Sequence, residues 1–152
     1  MSTLISLLHD DLYSMMGALF PAKKVLADSL NLYNNDELFL ADGYSIYIGP
    51  AFNTKREVSC RLSVSRQLII SITKAPYAGH KDIDKIKKTE KDLLEELHTL
   101  INDFSKNDSY VNLRGVKRDY LSDGGIIRAF GESRSILSIQ AIFNVEYFEN
   151  LI

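Results

Sequence analysis

The longest periodic pattern in this sequence is a stripe of apolar residues between Asp82 and Phe104. At about 100° per residue, the stripe falls within an arc of about 120°, the width expected of a helix that lies on a sheet. We therefore predict one long amphipathic helix over Asp82–Phe104, with Asp82 as its N-cap. The apolar residues of the stripe are Ile83, Ile86, Leu93, Leu94, Leu97, Leu100, Ile101 and Phe104.

A second amphipathic helix is predicted near the N-terminus. Over Thr3–Phe20, leucine and methionine recur at spacings of three and four, and Ser2 or Thr3 can cap the helix. Pro21 either ends this helix or opens a second short helix over Ala22–Leu30, because proline is tolerated in a first helical turn.

Three strands are predicted before the long helix, because the apolar period changes to two. Tyr44–Ile48 ends at the chain breaker Gly49-Pro50. Arg56–Ser65 alternates between apolar and polar residues, which is typical of an antiparallel strand with one packed face. Leu68–Thr73 follows after a tight turn at Ser65–Gln67.

Three further strands are predicted after the long helix. Tyr110–Tyr120 is mixed in character, with Gly115 marking a bulge, and Ile126–Phe130 follows a Gly124-Gly125 turn. Ser135–Tyr147 then alternates over a long run, with one apolar face. Runs of strands on either side of one helix predict a single α+β domain over residues 1–152, with an antiparallel sheet.

The charge balance argues against a general nucleic-acid binder. Lys and Arg number 18 against 20 Asp and Glu, so such a role would need a local basic patch. No apolar run approaches the roughly 20 residues that cross a bilayer. His9, Asp10 and Asp11 also interrupt the apolar stretch near the N-terminus, unlike a secretory signal. We therefore expect a protein of the cytoplasm, or one assembled there, that does not enter a membrane.

The sequence contains no recognisable catalytic or cofactor motif. Cys60 is the single cysteine, and its place in an apolar row indicates a buried thiol rather than a nucleophile. His80 with Asp82 and Asp84 is one conceivable metal site, although acidic residues before a helix also favour its dipole. The glycine pairs lack the lysine of a P-loop and the spacing of a dinucleotide fold. We expect no enzymatic activity and no cofactor.

The charges on the long helix run against its dipole. One interpretation is a solvated face, and the other is a contact surface whose basic half meets an acidic patch on another copy. Glu90 lies inside the apolar arc, where it either extends to solvent or pairs with an arginine. The charged residues concerned are Lys81, Lys85, Lys87, Lys88 and Lys91 in the first half, and Asp92, Glu95 and Glu96 after them.

Basic residues also occur among aromatic ones. Phe52 lies in the predicted loop Gly49–Lys55, and another basic group lies within Tyr110–Tyr120. Such groups suit base stacking or a protein interface. Without an overall basic excess, we favour an interface. The candidate contact residues are Phe52, Arg56, Arg61, Lys85, Lys88, Arg114, Lys117 and Arg118.

The order of these elements resembles the tail-terminator (tail-completion) family of long-tailed bacteriophages, which includes the minor tail protein U of lambda-like phages. The resemblance covers the N-terminal helix, the meander Tyr44–Thr73, the helix Asp82–Phe104 and the closing strand Ser135–Tyr147. The extra segment Ala22–Leu30 departs from the family pattern.

The resemblance implies a non-enzymatic virion protein. It would form a homo-hexameric ring that caps the tail tube and joins it to the head or neck, touching tube and connector proteins. DNA would only pass through the lumen. The family offers no catalytic or metal motif to carry over residue by residue. The alternative is a small nucleic-acid-binding or regulatory α+β module.

Overall fold

The described part of the chain folds into two helices and one five-stranded sheet. In a computed structural model, residues 4–25, 43–58, 61–74, 83–110, 116–130 and 135–150 are described. The sheet order is β1-β2-β3-β5-β4, and every pairing is antiparallel except that of β1 with β2, so the α+β prediction is confirmed. The elements are α1 Leu4–Leu19, β1 Lys24–Val25, β2 Gly43–Val58, β3 Arg61–Lys74, α2 Ile83–Lys106, β4 Lys117–Phe130 and β5 Ser135–Asn150.

The core lies between the two helices and one face of the sheet, which we call the inner face. β5 contributes alternate residues from Leu137 to Tyr147, each at most 1% exposed, as its alternation predicts. They meet apolar side chains from α1 and α2 in one cluster. Burying each large aliphatic or aromatic side chain stabilises the fold by about 1.5–3 kcal/mol. The opposite face of the sheet is called the outer face.

The helix predictions are close to the structure. α2 spans Ile83–Lys106, and the proposed cap Asp82 lies outside the described residues. The buried stripe is narrower than predicted, because Ile83 is 64% exposed and Leu94 is 49% exposed. At about 100° per residue, both lie roughly a quarter turn from the line of buried residues, so the sheet does not reach them.

The predicted break at Gly49-Pro50 is wrong. β2 continues through it to Val58, with a register shift between Ile48 and Ala51. Proline has no N–H to donate to a neighbouring strand, and the bulge accommodates it. On its other side, β2 pairs with β1 only at its first two residues, Gly43 and Tyr44, so no β1 partner is lost at the proline. Phe52 therefore lies within a strand rather than in a loop.

The predicted strand Arg56–Ser65 is divided between two strands. β2 ends at Val58 and β3 begins at Arg61. The apolar–polar alternation of the sequence continues from one strand into the next, so it gives no sign that the chain changes direction. Cys60 lies outside the described residues. The turn predicted at Ser65–Gln67 is wrong, because β3 runs without interruption and those polar residues lie in register with β5.

The turn predicted at Gly124-Gly125 is also wrong. β4 is one strand, with register shifts between Tyr120 and Ser122 and between Asp123 and Ile126. Gly125 has a φ of 76°, and its N–H donates to the Asp123 carboxylate at 2.9 Å. The Asp-Gly-Gly sequence therefore forms a bulge rather than a chain reversal. Residues 111–115, including Gly115, lie outside the described residues.

The prediction of a short helix that begins at Ala22 is wrong for residues 22–25, which the structure describes. Lys24–Val25 instead forms β1, parallel to the start of β2. The Lys23 ammonium donates to the Thr73 carbonyl at 3.2 Å and lies 3.1 Å from the Glu96 carboxylate. The Lys23 side chain is only 5% exposed, so these tertiary contacts fix the segment. The remainder of the predicted helix, residues 26–30, lies outside the description.

Candidate functional site

The outer face of the sheet combines small buried hydroxyl residues with large exposed apolar ones. Ser71 and Ser138 are buried there, whereas Tyr47, Leu121 and Phe148 are between 43% and 55% exposed. Exposed apolar side chains that share one face of a sheet mark an interaction site more often than scattered single residues do. The outer face is therefore the first place to look for a partner surface.

A cleft of about 540 Å³ crosses the outer face from β2 to β4. This volume lies within the range of about 300–1,000 Å³ typical of binding pockets. Aromatic and aliphatic side chains make up most of its wall, and two amides contribute the polar part. The lining residues are Tyr47, Gly49, Pro50, Phe52, Gln67, Leu121 and Asn144.

A bulge in β2 and a bulge in β4 border the cleft. The shift after Ile48 in β2 and the shift after Tyr120 in β4 flank the same row of the sheet, in which Leu68 pairs with Phe143. A bulge bends its strand and increases the local twist, so two bulges beside one row curve the sheet.

Gly49 holds β2 close to β3 at the cleft. A Cβ at this position would lie 3.2 Å from the Gln67 carbonyl oxygen, closer than ordinary packing allows. From the inner face, the Arg66 guanidinium donates to the Gly49 carbonyl at 3.1 Å and to the Tyr147 hydroxyl at 2.8 Å. The glycine thus favours the close approach of β2 to β3 and does not break the chain.

Asn144 contributes an unsatisfied acceptor to the cleft. Its Oδ1 atom is buried and has no hydrogen-bond partner among the residues that the structure describes. A buried polar atom without a partner costs about 1–3 kcal/mol. Its cross-strand neighbours are Gln67 on β3 and Asp119 on β4. The site therefore suits a partner that supplies a hydrogen-bond donor or a cation.

The first half of α2 presents a second, different surface. Its first residues are exposed apart from the half-buried Ile86. Lys87, Lys88 and Lys91 are exposed and form no ion pair within the described part of the chain. Glu90, inside the predicted apolar arc, is half-buried.

The acidic half of α2 is largely used within the fold. The Lys74 ammonium lies 3.8 Å from the Asp92 carboxylate and 3.4 Å from that of Glu96, which also pairs with Lys23. The lysines in the first half of α2 therefore face solvent, while Asp92 and Glu96 tie the helix to β3 and to Lys23, just before β1.

Arg118 has a role inside the fold. Its guanidinium donates to the carbonyls of Phe104 and Asn107 at 2.9 Å and 2.6 Å and to the Asp108 carboxylate at 2.7 Å. These carbonyls belong to the C-terminal end of α2, where backbone acceptors lack helical partners. Lys117 lies on the outer face instead, because adjacent strand residues point to opposite faces.

The other predicted site residues are distributed between the two surfaces or lie outside the description. Phe52 lines the cleft, and Lys85 and Lys88 are exposed on α2. Arg56 belongs to β2 and Arg61 to β3, but their side chains are outside the described part, as is the whole of Arg114. Sequence reasoning missed Tyr47, Gln67, Leu121 and Asn144. The apolar Leu121 beside the Asp-Gly-Gly bulge was the one local signal for them.

Among the described residues, no group of three or more His, Cys, Asp or Glu is arranged to hold a metal ion. Of the conceivable set, Asp84 is exposed at the start of α2, and His80 and Asp82 lie outside the description. No helix among the described residues is long and apolar enough to span a bilayer.

A second depression, of about 630 Å³, lies at the C-terminal end of α2. Three of its polar residues already bond one another: the Asn107 amide donates to Asp103, and the Ser109 N–H donates to Asn107. With these polar groups satisfied, it makes a weaker candidate than the cleft.

No protein-family model matches this chain, and no curated protein matches it in sequence.

Proposed function

We propose that this protein is a non-enzymatic structural subunit that assembles with copies of itself into a ring, and that the ring is a bacteriophage tail terminator. In that role the ring caps the tail tube and joins it to the head or neck, in contact with tube and connector proteins. The observation that carries the self-assembly is the cleft, whose wall includes the exposed Tyr47, Phe52 and Leu121.

A ring needs two unlike surfaces on each subunit, because heterologous contacts repeat until the rotation closes. The described residues offer such a pair. One is the apolar cleft on the outer face. The other is the lysine-bearing first half of α2, a helix of 24 residues and thus about 36 Å long. The tail-terminator assignment rests on the resemblance in element order, and the self-assembly rests on these surfaces.

The mass of the purified protein, measured by light scattering over a range of concentrations, tests the proposal. We expect a hexamer, or a concentration-dependent shift toward one, that weakens as salt screens charged contacts. A stable dimer, or a strict monomer at millimolar concentration, would contradict it.

Two serine substitutions sharpen the test. Phe52→Ser changes the cleft and should reduce association, while the melting temperature stays nearly constant because Phe52 is exposed. Leu7→Ser is the matched control, since Leu7 is an exposed apolar residue on α1, away from the cleft. Equal association of both variants and the wild type would remove the cleft from the contact.

The exposed lysines of α2 favour one alternative, a nucleic-acid-binding module. That function predicts binding to single- or double-stranded DNA that falls steeply with salt, by a log–log slope of about −0.7 to −0.9 for each phosphate neutralised. Replacing Lys87, Lys88 and Lys91 by glutamine should then abolish DNA binding, while leaving the solution mass unchanged.

A further inference from the structure

We infer that the outer-face cleft of one copy receives the first half of α2 from the next copy, with the Lys87 side chain entering the cleft toward Asn144. This inference rests on the proposed self-assembly and specifies its contact. Each subunit then donates a helix to one neighbour and accepts a helix from the other.

The helix side that enters the cleft is both apolar and basic. At about 100° per residue, Ile83, Lys87 and Leu94 lie on one side of α2, and Lys91 lies beside them. Ile83 and Leu94 are the two exposed large apolar residues of this helix. This side therefore offers apolar area to bury together with ammonium groups that have no partner within the described residues.

The cleft matches a lysine side chain along its whole length. The apolar wall suits the four-carbon stem, which buries well while its head stays polar. Tyr47 and Phe52 line the cleft, and the face of an aromatic ring attracts a cation. An ammonium has three donors and no acceptor, so a rotation of the Asn144 amide that brings Oδ1 to the cleft would let the ammonium satisfy this orphan acceptor without leaving a new unpaired one.

The charges around the two surfaces are complementary. Asp119 lies directly opposite Asn144 in the sheet, and Glu146 lies on the same face of β5. Lys117 is the one cation among the described side chains of the outer face, and its ammonium lies 3.7 Å from the Asp119 carboxylate. Both members of that pair are exposed, so it is weak and an incoming lysine can replace it.

The two surfaces lie on opposite sides of the subunit. α2 covers the inner face and the cleft opens on the outer face, so two copies related by a two-fold axis cannot form both helix-to-cleft contacts at once. Repetition of the contact stacks the outer face of one copy on the helix side of the next. This is the heterologous arrangement that a ring requires.

Charge reversal on one side of α2 is the first test. Lys87→Glu with Lys91→Glu should weaken association by about 30-fold or more, because it places carboxylates near Asp119 and Glu146 of the next copy, and like-charge juxtaposition costs several kcal/mol. The control, Lys106→Glu, reverses a lysine that is exposed in the last turn of the same helix, outside its first half. It is compared with Lys87→Glu alone and should weaken association far less, because it lies about 28 Å from Lys87 along the helix axis.

A mixing experiment tests the pairing of the two surfaces. Leu121→Lys blocks the cleft but keeps the helix, and the Lys87→Glu and Lys91→Glu variant keeps the cleft. Each alone should be monomeric in sedimentation velocity. Their equimolar mixture should form a one-to-one complex and nothing larger, because only one competent contact remains.

The outcomes separate this inference from the proposed function. If wild-type protein assembles but the control reversal is as damaging as the test reversal, or the mixture stays monomeric, this contact is wrong and self-assembly stands. The same holds if the cleft binds an unrelated peptide or small molecule and cleft variants assemble normally. If wild-type protein does not assemble at all, both proposals fail.

Discussion

Replacing Arg118 by alanine should destabilise the fold without touching either candidate contact surface. The Arg118 side chain is 7% exposed and bonds two backbone carbonyls at the end of α2. Its guanidinium also lies 5.6 Å from the centre of the Phe104 ring, which is fully buried against Phe143. Arg118 thus links the start of β4 to the C-terminal end of α2.

The expected loss follows from these contacts. A part-buried carbonyl left without a donor costs about 1–3 kcal/mol, and two are affected. The cation–π contact adds about 0.5–1 kcal/mol. The Asp108 pair adds little, because that carboxylate is largely exposed. Since water can reach part of the site, we expect about 3 kcal/mol in total, which corresponds to a melting temperature lower by roughly 6–12 °C in a chain of this size.

Thermal and urea unfolding measure this loss, and Lys117→Ala is the matched control. Lys117 is the adjacent residue, is 68% exposed and points to the other face, so its removal should change stability by less than about 0.5 kcal/mol. Arg118→Lys should recover only part of the loss, because an ammonium lacks the planar fork that reaches both carbonyls. Equal stability of the two alanine variants would refute this account of Arg118.

Three further predictions concern other contacts. Asn144→Leu should raise the free energy of unfolding by about 1 kcal/mol, because it removes a buried unsatisfied acceptor, and should weaken self-association; a loss of stability would contradict the first part. Lys23→Met should lower the free energy of urea unfolding by about 2–3 kcal/mol, since it breaks a buried ion pair with Glu96, and no change would show that pair to be dispensable. Burial, with a smaller effect of Tyr13, raises the pKa of the Tyr44 phenol above 10.0. The contribution of this residue to stability is therefore complete below the unfolded pKa and is lost as pH rises through the folded pKa. Tyr44→Phe should reduce this loss of stability at alkaline pH, as measured by urea unfolding.

The parts of the fold that depend on local periodicity could be predicted from the sequence. α2 and β5 each bury one face over many residues, so their apolar spacing directly reflects the contacts they make. The chain breaks could not be predicted in the same way. Gly49-Pro50 and Gly124-Gly125 are typical of turns, but long-range strand pairing turns both into bulges.

The candidate site was harder to predict, because its residues come from four strands. Tyr47, Gln67, Asn144 and Leu121 meet only once the register of the whole sheet is fixed. Phe52 was identified because a large aromatic residue stood beside glycine and proline. The charges of adjacent Lys117 and Arg118 gave no sign that one would face solvent and the other cap a helix.

Native mass spectrometry of the wild-type protein, which counts the copies in each assembly, tests self-association into a ring most directly. The account predicts a closed species of six copies at high protein concentration, with intermediates that grow by one copy at a time. Even-numbered growth from a stable dimer, or monomers alone at every concentration, would contradict it.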